Sequence, residues 1–277
     1  MGIKVVPDSA SNVFSMPGID LESVPLKIMF GGNEYVDQPG TDFEKMVLDL
    51  QSHHGPSTTS CPNVQEWLDA FEGYDEIFAV TISSGLSGSY AAADIAAHQY
   101  EEANPNAKVH VIDSLATGPV ERIIIERLRD GIVSGMSFEQ IKADIQDYLG
   151  RIRILYALES LNNLANNGRV SMHVARLISV LNVRIIGHAS SEGTIELLHR
   201  CRGEKRTLKT VVREMMERGY AGGKAHIDHC LNLSAAESLK ALIKMEFPVC
   251  DVHIYPCTGL CSFYADKGGL IIGYEVG

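Results

Sequence analysis

The stretch Ser83-Ser84-Gly85-Leu86-Ser87-Gly88-Ser89-Tyr90 decides how this chain is read. It follows an apolar run, Ile77-Phe78-Ala79-Val80-Thr81-Ile82, and opens an alanine-rich segment over residues 90–103. The pattern predicts a buried strand, a tight polar turn and a helix. Gly85 and Gly88 let the backbone bend and let a ligand approach closely, and Ser84 or Ser87 can cap the first helical turn. The N–H groups of Ser87, Gly88 and Ser89 then point above the turn, where exposed donors and the positive helix end together suit an anion. A serine before a helix is most often only a cap. Four serines, two glycines and the preceding buried run add the anion-site reading. The stretch is not a hydrolase nucleophile elbow, because Gly85-Leu86-Ser87-Gly88-Ser89 places the second glycine one position early for Gly-x-Ser-x-Gly. No Gly-Lys-Ser/Thr follows, so it is not a P-loop.

Working outward, strand-like and helix-like segments alternate. Apolar runs at residues 3–6, 24–30 and 108–112 read as strands, and residues 34–36 as a hairpin partner after Gly31-Gly32-Asn33. Phe43, Met46, Val47 and Leu50 recur at helical spacing, and Asn63 caps a helix carrying Val64, Trp67, Leu68 and Phe71. Residues 56–63, polar with two prolines, read as a connection that also gathers hydroxyl donors. Helices follow at 118–133 and 137–149. In the second half, strands are expected at 152–157, 183–187, 225–230, 249–255 and 269–275, and a hairpin at 194–201. Helices are expected at 158–165, 172–180, 205–219 and 234–246, the last capped by Ser234. This alternation predicts an α/β fold with a parallel sheet covered by helices on both faces, and ligands then sit beyond the carboxyl ends of the strands. The length predicts two domains, residues 1–150 and 151–277.

Composition narrows the function. Hydrophobic residues make up 45% and charged residues 21%, enough for a full core. Twenty-four cationic against 35 acidic side chains give a net charge of −11, which argues against nucleic-acid binding and against docking on anionic lipid. No signal peptide and no membrane span are expected, and six irregularly spaced cysteines point to a reducing cytoplasm. Cys257 and Cys261 are spaced for one helical turn, with His226 and His229 earlier in the sequence, but zinc favours tighter paired spacings, so no metal is expected.

Several motifs in order resemble the DegV family of bacterial fatty-acid-binding proteins, nearly end to end. They are Asp8-Ser9, Thr59-Ser60-Cys61-Pro62-Asn63, the serine turn itself, Ile112-Asp113-Ser114, the segment from Leu161 to Gly168-Arg169, and the hairpin ending at Arg202. The serine turn is the most specific of them. The resemblance implies two α/β domains holding one long-chain fatty acid between them, with no cofactor and no chemistry of its own. It implies ligand-binding residues Thr59, Ser60, Ser84, Ser87 and Gly88, with the carboxylate on the Thr59 and Ser87 hydroxyls and the Gly88 amide. Family members carry the acyl group for a separate ATP-dependent fatty acid kinase. On that basis Arg169 is expected to be exposed and partner-binding, and Arg202 to reach toward the carboxylate. The sequence departs from the family at Tyr264, where a histidine is usual; its phenol is either a replacement donor or a core aromatic. Arg184-Ile185-Ile186 also lacks the usual Lys-Pro pair. A monomer is the default expectation. Two readings from other classes stand beside this one. One is a hydrolase or transferase acting on a carboxylate or phosphate ester, with Ser87 as nucleophile and His110, His188 or Tyr264 as base. The other is a ligand-free scaffold.

Overall fold

A computed structural model describes residues 2–171 and 183–277. The helix expected over 172–180 lies outside the described residues. The first half builds β1 (Ile3–Pro7), β2 (Asp20–Leu21), β3 (Lys27–Phe30), β4 (Asn33–Val36), α1 (Phe43–Ser52), β5 (Ser57–Ser60), α2 (Val64–Phe71), β6 (Glu76–Thr81), α3 (Ser89–Ala103), β7 (Lys108–Asp113), α4 (Pro119–Val133) and α5 (Phe138–Leu149). The second half builds β8 (Ile152–Leu158), α6 (Asn162–Asn166), β9 (Val183–Ala189), β10 (Ile195–Arg202), α7 (Glu204–Glu217), β11 (Lys224–His229), α8 (Leu233–Glu246), β12 (Asp251–Pro256), α9 (Gly259–Ala265) and β13 (Leu270–Glu275).

Two α/β domains result. The N-terminal sheet has the order β2-β1-β6-β7, with every pair parallel. Its central strands are apolar on both faces, as a sheet covered on both sides requires. One face packs Val6, Ile77 and Ala79 against Trp67 and Phe71 of α2 and the alanines of α3. The other packs Val5, Phe78 and Val80 against α4 and α5. The C-terminal sheet is mixed, in the order β10-β9-β8-β13-β11-β12. Its outer face packs on α7 and α8, and its inner face, through Ile154, Tyr156 and Ile271, joins the core that contains α4. Gly273 permits this contact, since a Cβ there would stand 2.9 Å from the backbone of Pro119 and Val120. α4 is thus a shared layer between the sheets.

A small antiparallel sheet, β4-β3-β5, flanks the first domain. Here the expected connection over 56–63 is part strand, with Thr59 opposite Ile28 and Thr58 opposite Met29. Thr58 and Thr59 are β-branched and fit a pleated edge, but their polarity hides the strand in the sequence. Leu158 also differs from expectation. It completes β8 opposite Ile185, because the central position of that strand keeps it extended, and α6 begins only at Asn162. α8 starts at Leu233 after Asn232, with no side-chain cap from Ser234.

Candidate functional site

The serine turn sits where β6 ends and α3 begins. Asp8, fully buried at the end of β1, ties these two elements together. Its carboxylate accepts from the Ile82 N–H at 3.0 Å and the Ser89 hydroxyl at 2.5 Å. Burial pushes its pKa up to about 6. Glu121 of α4 is buried beside it and pushed well above the usual carboxylate range by burial and then by the Asp8 charge. Within the turn, the Ser87 N–H donates to Ser83 O and the Ser89 N–H to Ser87 Oγ. Of the three N–H groups expected to face a ligand, two are therefore used internally. The Gly88 N–H takes no acceptor among the described residues, and the Ser87 hydroxyl keeps its proton to donate.

Gly85 serves a different purpose. A Cβ there would lie 2.5 Å from Glu192 O, and the Ser83 hydroxyl donates to Gly193 O at 2.8 Å. The tip of the β9–β10 hairpin is docked on the turn, and the close backbone approach requires the glycine.

Beneath the turn, between the domains, lies a cavity of about 230 Å³. Thr59, Ser60, Ser87, Gly88, Arg169 and Tyr264 line it, and most of the remaining wall is apolar, including Leu26, Ile82, Leu158, Leu260 and Ile271. The Thr59 hydroxyl and the Tyr264 phenol are hydrogen-bonded at 2.8 Å. Burial raises the Tyr264 phenol above its usual range. Thr59 is delivered by β5, and Leu260, Cys261 and Tyr264 by α9, so elements far apart in sequence meet here. α9 was not apparent in the sequence, where this segment showed only two cysteines one turn apart. Its N-terminal N–H groups, on Gly259 and Leu260, are capped by Asp37 at 2.8 and 2.9 Å, from 222 and 223 residues away. No local residue announces such a helix. Burial pushes the Asp37 carboxyl up to about 6.

Ser84 is exposed and not part of the cavity wall; its N–H donates to Asp113. Neither arginine lies where it was expected. Gly168 at φ +76° reverses the chain after α6, and the Arg169 N–H closes that turn on Leu164 O. Arg169 thereby folds back onto the serine turn, half-buried. Its Nε donates to Leu86 O at 3.0 Å, and its guanidinium lies 5.8 Å from the Tyr264 ring centroid. Arg202 does not line the cavity. The hairpin reaches the site through its tip and through Ile195, whereas Arg202 ends β10 opposite Val183. Seven residues of strand at ~3.3 Å each put it about 20 Å away.

Neither candidate histidine base is placed beside Ser87. His110 packs edge-on against Phe78, and His188 pairs with Glu196 at 3.2 Å in a separate cleft. Cys257 and Cys261 are buried thiols whose pKa burial raises well above the usual range. Among the described residues no group of three or more His, Cys, Asp or Glu side chains could hold a metal ion, and no helix is long and apolar enough to cross a membrane.

A parallel-sheet domain and a mixed-sheet domain enclosing an apolar cavity, with hydroxyl and amide donors gathered at one end, define a two-domain α/β protein shaped for an amphiphile. The chain belongs to the DegV family, whose model, described as an uncharacterised protein family, matches residues 2–275. A DegV domain-containing protein of Streptococcus pneumoniae is 37% identical over 277 residues, covering 99% of both chains. Among solved structures, a DegV family protein from Eubacterium eligens loaded with heptadecanoic acid is 42% identical, with a TM-score of 0.97 over 100% of both chains. The Streptococcus pneumoniae Fatty Acid Kinase (Fak) B3 protein loaded with linoleic acid is 37% identical, with a TM-score of 0.98 over 100% of both chains.

Proposed function

We propose that this chain binds one long-chain fatty acid in the cavity between its domains and presents the carboxylate to a separate ATP-dependent kinase. The observation that carries the reading is the asymmetry of the cavity. Its walls are largely hydrocarbon, and its donors, the Thr59 and Ser87 hydroxyls and the Gly88 N–H, converge at the start of α3. A buried carboxylate needs such donors, and a helix N-terminus supplies them without a full counter-charge. About 15 methylenes at ~0.8 kcal/mol each contribute roughly 12 kcal/mol gross, much of it offset by lost freedom on binding. Tyr264 orients Thr59 through their hydrogen bond, and Arg169 closes the polar end. The fatty acids bound by the Eubacterium and Streptococcus relatives support the ligand, and the name of the latter supports the kinase partnership.

The protein acts as a carrier with no catalytic residue of its own. Among the described residues Ser87 has no base beside it, and Tyr264, with its raised pKa, is poorly suited to accept a proton. Arg169, half-buried on the cavity wall, is our candidate for the residue that meets the kinase. We place the domain division at residues 1–150 and 151–277, between the last strand of the parallel sheet, which ends at Asp113, and the first of the mixed sheet, which begins at Ile152. Six free cysteines fit a reducing, cytoplasmic setting.

The test is denaturing extraction of the purified protein followed by mass spectrometry, which should release a fatty acid in near-equal ratio. Delipidated protein should take up labelled palmitate or oleate. Empty protein that takes up neither overturns the reading.

A further inference from the structure

One part of the cavity wall does not suit a plain hydrocarbon. Tyr156 stands on β8, paired with Ile271 of β13 and Gly187 of β9, and its side chain faces the shared core with Ile154 and Leu158. It lines the cavity and is only 5% exposed, and its hydroxyl has no hydrogen-bond partner among the described residues. A buried phenol ordinarily finds one. Thr117 is also buried on this wall, and among the described residues its hydroxyl has one hydrogen bond, with Cys261 Sγ at a long 3.5 Å. The Cys261 thiol in turn lies 3.2 Å from Ala10 O, to which it donates. With its proton used there, the thiol takes the Thr117 O–H as donor, and the Thr117 hydroxyl keeps its lone pairs to accept. Cys261 precedes Tyr264 by three residues of α9, so the two leave the helix on the same face, and both line the cavity. Tyr156 and Thr117 are distinct from the donors of the serine turn.

We infer that the cavity is built for a fatty acid that carries a second oxygen function, a hydroxyl or oxo group on its chain, bound by the Tyr156 and Thr117 hydroxyls. This rests on the fatty-acid reading above and names the class of acid. A chain oxygen accepts from the Tyr156 O–H, and a chain hydroxyl also donates to Thr117. A saturated chain lying there satisfies neither group. Discrimination of this kind is stronger than that of an apolar pocket, because the wrong ligand leaves buried polar atoms unpaired.

The experiment is competition against a fluorescent fatty acid on delipidated full-length protein. The panel is stearate, oleate, a positional series of monohydroxystearates and the matching oxostearates. At least one oxygenated acid should bind about tenfold more tightly than stearate, equivalent to about 1.4 kcal/mol. Tyr156→Phe should erase that preference while stearate binds as well as before or better. Thr117→Val should reduce the preference for the hydroxy acid more than for the oxo acid, and it provides a second reading should Tyr156→Phe fold poorly. Tight stearate binding with every oxygenated acid weaker, or a preference unchanged in both variants, overturns the inference and leaves the fatty-acid reading intact; a small buried solvent molecule would then satisfy the phenol. Failure of every acid to bind overturns both.

Discussion

Replacing Thr59 by valine removes one hydroxyl and little volume, and the structure makes two separable consequences measurable. In the proposed complex the hydroxyl donates to the ligand carboxylate, and in the protein it is bonded to the Tyr264 phenol at 2.8 Å. Loss of a hydrogen bond to a charged group is worth ~1.5–3 kcal/mol, so fatty-acid affinity should fall by one to two decades. The variant also leaves the half-buried Tyr264 phenol without its partner, which costs ~1 kcal/mol of stability in the empty protein. Adding Tyr264→Phe removes the stranded group. The double variant should therefore recover most of the lost stability and none of the lost affinity, apart from any contribution of Tyr264 itself to the ligand. Calorimetric titration of delipidated protein with oleate gives the first quantity, and urea denaturation of the same preparations gives the second. Wild-type affinity in the double variant would remove the carboxylate from this end of the cavity. Stability that falls further in the double variant would refute the pairing of the two hydroxyls.

Ser87→Ala should weaken oleate binding by one to two decades and lower stability by ~1 kcal/mol, since Ser87 Oγ also accepts from the Ser89 N–H at the start of α3; unchanged titration would exclude the hydroxyl as a ligand donor. Gly85→Ala forces a Cβ to within 2.5 Å of Glu192 O, so the docked hairpin must shift, and a melting temperature equal to wild type would show that this contact is absent in solution. Arg169→Ala should lower both fatty-acid retention and capture by the kinase, because Arg169 Nε holds Leu86 O in the serine turn; a pull-down defect with full retention of ligand would confine its role to the partner. Asp228, buried between the domains with Asn12 on one carboxylate oxygen at 2.6 Å, has its pKa pushed up by burial from 3.8 to about 7. A raised carboxyl contributes stability below its unfolded pKa that is lost as pH rises through the folded value. About three units at 1.36 kcal/mol each amount to roughly 4 kcal/mol lost between pH 4 and 8. Asp228→Asn should flatten that loss, so urea denaturation at pH 5 and pH 8 should show the variant gaining on wild type at the higher pH; an equal difference at both would refute the shift.

The sequence alone determined the local architecture around the serine turn. An apolar run on both faces of β6, two glycines and an alanine-rich helix leave a strand–turn–helix as the arrangement that pairs the backbone and buries the side chains. The capping boxes Asn63–Glu66 and Ser137–Gln140, which fix the starts of α2 and α5, are likewise local and observed as such. Order and spacing of short motifs then carried the resemblance to the family and, with it, the ligand class. What tertiary structure decided is which side chains share one cavity. β5 is polar, and only the register against β3 turns it into a strand aiming Thr59 inward. α9 is capped by an aspartate more than 220 residues away, so no neighbouring residue could mark its start or bring Tyr264 to Thr59. The positions of Arg169 and Arg202 were not legible, because exposure after a Gly stop and proximity at a strand end depend on where the next element packs. A single left-handed glycine folds Arg169 onto the turn, and about 20 Å of strand carries Arg202 away from it. Tyr156 looks like any core aromatic of a buried strand. That its hydroxyl ends up without a partner is a property of the whole wall, assembled from β8, α9 and the start of α4, because hydrogen-bond satisfaction is set by the full three-dimensional surroundings of an atom.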